Sequence, residues 1–82
     1  MTDVTTRVRS MVASNLRVDI ERVTDAARLE ADLKADHLDV VDLVMDLEDH
    51  FQVVVTDQEM EAIATVADLI ALAQPAAMAR AA

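Results

Sequence analysis

An all-α bundle of four helices, three long and one short, is the fold this sequence predicts. Two amphipathic stripes recur at helical rather than strand spacing, and helix-opening signatures stand before two further segments. One short β-favouring run, QVVVT at 52–56, has no second run to pair with.

The first helix is marked by Val4, Val8, Met11, Val12 and Leu16, which recur along one side, with Arg7, Arg9 and Asn15 off the stripe. From Arg17 to Asp36 the periodicity breaks, leaving isolated apolar anchors at Val18, Ile20, Val23, Leu29 and Leu33. Loops of this length are uncommon in small domains, so those anchors are expected to pack it down, with a short helical turn among them. The second helix opens after Asp36, an N-cap whose carboxylate can accept a free backbone N–H, with Asp39 adding favourable charge in the first turn. At about 100° per residue, Val40, Leu43, Val44, Leu47 and Phe51 form its core face. Asp36, Asp39, Asp42, Asp46 and Asp49 line a neighbouring acidic row. Beyond that row, Leu38, Val41 and Met45 form a second apolar strip.

QVVVT reads as an extended connector burying Val53 or Val55. Thr56-Asp-Gln-Glu59 is a capping box for a short helix through Ile63. Thr65-Val-Ala-Asp68 opens a last helix with Val66, Leu69, Ile70 and Leu72 facing inward. Pro75 then separates one domain, residues 1–75, from an Ala-rich tail, 76–82, expected to be flexible.

Composition narrows the function. The 82 residues suffice for one modest core, and glycine and cysteine are absent. Without cysteine there is no disulfide framework or thiolate metal site, which fits a reducing compartment. The opening MTDVTTRVRS lacks the apolar centre of a secretory signal. No apolar run reaches the roughly 18 residues of a membrane span, so a cytoplasmic protein without membrane insertion is expected. Net charge is −9, unevenly placed: residues 1–34 hold six acids and six bases, whereas 35–79 hold ten acids and no Lys or Arg. Nucleic acid and anionic lipid need a basic footprint and are disfavoured; basic protein surfaces are favoured.

The acidic row has a plain alternative as a solvated helix face. Yet carboxylates at i,i+3 and i,i+4 spacing repel by a few tenths of a kcal/mol per pair, and no base on the helix offsets them. A docking surface accounts for that cost. The strip of Leu38, Val41 and Met45 supports docking too, its alternative being burial under the long loop. Asp46 and His50 lie one helical turn apart, a weak chelating pair common by chance; no metal site is expected. His37 as a general base would need a nucleophile and an oxyanion site that the chain does not supply.

The segment order, and DHLDVVDLVMDLEDHF above all, resembles the acyl carrier protein family, with the likeness running from about Thr2 to Ala73. Val23–Thr24, Asp32–Leu33, the LVMxLExxF run through Phe51 and ATVADLI carry it collectively. The resemblance implies a four-helix carrier holding growing acyl chains as thioesters for fatty-acid, polyketide or related lipid synthesis, itself not an enzyme. It implies that Asp36, Leu38, Asp39, Val41, Asp42, Met45 and Glu48 form the surface that docks basic partner enzymes, and a monomer is expected. The family motif is Asp-Ser-Leu, whose serine carries 4′-phosphopantetheine; here it reads Asp36-His37-Leu38. Imidazole cannot form that phosphodiester, and the only serines, Ser10 and Ser14, lie within the first helix. No cofactor is therefore expected on this chain, and covalent acyl carriage is expected to be disabled, by natural divergence or by substitution. A non-carrier adaptor or regulatory subunit using the same fold is the alternative. Two family glycines are Arg17 and Lys34 here, and a positive φ retained at either would cost about 1 kcal/mol or more.

Overall fold

The computed structural model describes residues 3–81, with side chains from Asp3 to Gln74. Its order is α1 (Val4–Leu16), a 3₁₀ turn (Ile20–Arg22), α2 (His37–Phe51), α3 (Asp57–Ala62) and α4 (Val66–Ala81), with no strand among the described residues. It is the expected all-α bundle. The three long helices pack on one another around Val8, Val12, Leu43, Val44, Leu47, Val66 and Leu69, none more than 1% exposed.

The second, third and fourth helices start where their sequence signatures stand. Asp36 Oδ1 accepts the Asp39 N–H at 2.8 Å, and Asp39 Oδ2 accepts the Asp36 N–H at 3.1 Å. Thr56 and Glu59 make the equivalent reciprocal pair before α3. At α4, Asp68 accepts the N–H groups of Ala64 and Thr65, and these bonds hold its carboxyl below the usual carboxylate range. Asp3 caps α1 by accepting from Thr6 and is lowered for the same reason.

The 17–36 segment packs as anticipated at Val23, Leu29 and Leu33, each buried, and is half-buried at Val18. Ile20 departs from the expectation at 48% exposed: it opens a 3₁₀ turn none of whose three residues is buried, while the flanking Val18 and Val23 are half-buried and buried. The segment is also tied to the end of the α3–α4 connection. Arg28 and Thr65 form an isolated antiparallel bridge, with Leu29 N–H donating to Ala64 O and Val66 N–H to Ala27 O, both at 3.0 Å. Arg9 of α1 pairs with Asp25. The connector after α2 leaves Val53 and Val55 half-buried and Val54 outward, 85% exposed. The backbone of α4 crosses Pro75 and stays helical to Ala81, so the segment read as a tail begins inside this helix, in keeping with the high helix propensity of alanine.

Three non-glycine residues hold positive φ: Arg17 at 57°, Lys34 at 62° and Gln52 at 55°. Arg17 and Gln52 close α1 and α2 as left-handed caps, a place where glycine is the usual choice. Replacing Arg17 or Lys34 by glycine relieves a Cβ clash worth roughly 1–2 kcal/mol, partly offset by the greater freedom of glycine in the unfolded chain. Each substitution is expected to raise stability by about 0.5–1 kcal/mol in urea unfolding. A fall in the midpoint would contradict it.

Candidate functional site

The site is the outer face of α2. His37 is its first helical residue, exposed, directly after the Asp36 cap. Its side chain makes no hydrogen bond among the described residues. The five aspartates of the row are not equivalent. Asp36 and Asp39 spend their carboxylates on the reciprocal cap, and Asp39 is half-buried. Asp46 accepts the Asn15 side-chain amide of α1 at 2.8 Å. Asp42 and Asp49 are exposed, with carboxylates free of any hydrogen bond among the described residues. These two are therefore the carboxylates of the row that the fold leaves unengaged.

Beside them stand Leu38, 71% exposed, and Met45, 61% exposed, with Val41 half-buried between. The opposite side of the helix, Val40, Leu43, Val44, Leu47 and Phe51, is buried without exception. The second apolar strip is thus on the surface rather than under the 17–36 loop. An apolar strip rimmed by carboxylates, on a helix without Lys or Arg, is suited to a partner that brings cations around a greasy centre.

Glu48 differs from the rest. It is half-buried, and its carboxylate accepts the Val55 N–H at 2.9 Å. Local spacing gave no sign of this bond, nor of Asn15 reaching Asp46, because both join residues brought together only by the fold. The Arg7 guanidinium lies 4.7 Å from the centre of the Phe51 ring. It borders a groove of about 560 Å³ between α1 and α2 that also takes in Ser10, Ser14, Asp46 and His50. The two serines thus face the distal half of α2, and Asp46 is nine residues beyond His37, some 13 Å along the axis at about 1.5 Å per residue. A smaller cavity, about 170 Å³, lies between the 28–31 loop, Val40 and Ile63. No three His, Asp or Glu side chains converge as a metal site among the described residues. No helix among them is long and apolar enough to cross a membrane.

Residues 6–73 match the family model described as a phosphopantetheine attachment site. An acyl carrier protein of Thermotoga maritima is 46% identical over 68 residues, which cover 83% of this chain and 84% of that one. The chain belongs to the acyl carrier protein family. This is a family of carriers rather than enzymes, and the four-helix architecture and segment order are in keeping with it. Position 37, a histidine, lies within the matched span.

Proposed function

We propose that this chain is a carrier-type module of fatty-acid, polyketide or related lipid biosynthesis that docks basic enzymes through α2 and does not itself carry an acyl group. One observation carries the docking half: Leu38 and Met45 lie open to solvent next to the unengaged carboxylates of Asp42 and Asp49, on a helix without Lys or Arg. Asp36, Asp39 and Val41 complete the face, which the module presents as a monomer. The second half rests on donor chemistry. The family's group is held through a serine oxygen, and His37 offers only imidazole nitrogens; a phosphoramidate formed there would be hydrolytically labile. The residues at this position do not fit 4′-phosphopantetheine. The missing hydroxyl equally admits an adaptor or regulatory subunit, which would use the same face and copurify with a complex unrelated to acyl synthesis.

Charge steering speeds encounter and fades with ionic strength. Asp42→Asn combined with Asp49→Asn is expected to slow association with a phosphopantetheinyl transferase by roughly three- to tenfold at low salt. That difference should shrink as the Debye length falls below ~8 Å. Met45→Ala should instead speed dissociation, because it removes apolar contact and not charge. If stopped-flow rates are the same for the double variant and the parent at low salt, the docking face is elsewhere.

A further inference from the structure

The family resemblance groups Glu48 with the carboxylates that partners touch, yet its geometry differs from theirs. We propose that Glu48 is a positioning residue that fixes the start of α3, and that its effect on docking, where the docking reading holds, passes through α3. The chain leaves α2 through Gln52 in the left-handed conformation and doubles back. Gln52 and Val53 both donate their N–H groups to the Glu48 carbonyl, the second at 3.3 Å. The Glu48 side chain then reaches the Val55 N–H at 2.9 Å. One residue thereby receives three donors from the connector, two on its backbone and one on its carboxylate.

The bond to Val55 matters because α3 starts at the next residue. Thr56 is the N-cap of α3, which is six residues long and has no buried residue. A helix that short does not hold its own shape in water, and only Met60 and its C-cap Ile63 give it half-buried apolar anchors. Its position therefore depends on how it is tied at its ends. At the N-terminal end the tie is the Glu48 carboxylate, one residue before the cap. At the other end Ile63 walls the cavity against Val40 of α2. A connector freed from Glu48 lets both the cap and that wall shift against α2.

A residue read by partners through its charge and one that acts as a hydrogen-bond acceptor respond differently to the isosteric amide. The Oε1 of Glu48→Gln can still accept from Val55, although the charge is gone, whereas Glu48→Ala loses both. Hydrogen exchange followed by NMR is expected to leave the Val55 amide protected in the parent and in Glu48→Gln, and to speed its exchange roughly tenfold in Glu48→Ala, the loss of one charge-assisted bond. Association with the phosphopantetheinyl transferase should be slowed by Glu48→Ala and little changed by Glu48→Gln. Unchanged Val55 exchange in Glu48→Ala would overturn the proposal, as would Glu48→Gln slowing association as much as Asp42→Asn does. Should neither Asp42→Asn nor Glu48→Gln affect association, the docking reading fails by itself, and the exchange data still decide the role of Glu48.

Discussion

Incubated with coenzyme A and a phosphopantetheinyl transferase, the chain is expected to keep its mass, and His37→Ser to gain the mass of one phosphopantetheinyl group. This is an all-or-none effect, because it depends on whether a hydroxyl is present and not on the strength of an interaction. The substitution should leave the scaffold alone. His37 is exposed and makes no side-chain hydrogen bond among the described residues, and the helix start is held by Asp36 and Asp39 bonding to each other. Serine in the first turn of a helix is well tolerated. Intact-mass spectrometry reads the result, and peptide mapping places it. His37→Ala should stay unmodified, which separates the gain of a hydroxyl from the loss of an imidazole. His37→Ser combined with Ser10→Ala and Ser14→Ala should gain the same mass, since those two hydroxyls face the distal half of α2. Mass gain in the parent protein would defeat the reading of a disabled carrier. Failure of His37→Ser to be modified would point to the adaptor, with a face that the transferase does not accept.

The sequence was most legible where one element carries its own pattern. All five core positions of α2 were visible from periodicity alone, because a helix repeats its inward face at a fixed interval and the surrounding bundle has only to cover it. The same wheel separated Leu38 and Met45 from the core. Helix starts were legible for a similar reason, since a capping box is a contact between residues three apart. Positive φ at Arg17 and Lys34 was visible only through the likeness to a family with glycine there; Gln52 gave no such sign. The 17–36 segment was harder. Its large anchors were found, but Ala27 and Ala35 are buried as well, and small residues without period do not announce burial. Ile20 was expected inside and lies half outside, because three residues of 3₁₀ turn leave little inner surface to share. The distinction among the acids was beyond any local pattern. Asp42 and Asp46 look alike in sequence, and only the approach of Asn15 from α1 makes one of them a structural partner.

Leu47→Ala is expected to remove a large part of the domain's stability, whereas Met45→Ala, two residues earlier, should have almost no effect. Leu47 is fully buried, on the face by which α2 meets the rest of the core. Truncation removes its transfer free energy and leaves a cavity that three packed helices cannot easily close, a cost of about 2–5 kcal/mol. A domain of this size has roughly 4–12 kcal/mol in all, so the variant gives up a substantial share of it. At about 4–8 °C per kcal/mol for so short a chain, its melting temperature should fall by about 10 °C or more. Met45 is 61% exposed on the opposite strip, and a surface change of that kind stays within about 0.5 kcal/mol. Calorimetry of the two variants therefore tests the division of α2 into a packed side and a presented side without any partner present. Equal losses would mean that the strip is buried, and the docking face would lose its apolar centre. With the expected inequality, the faster dissociation of Met45→Ala cannot be ascribed to unfolding. The molecule would then be keeping Met45 exposed, beside carboxylates that no Lys or Arg on the helix balances, with no return in its own stability, which is the arrangement the proposed docking face requires.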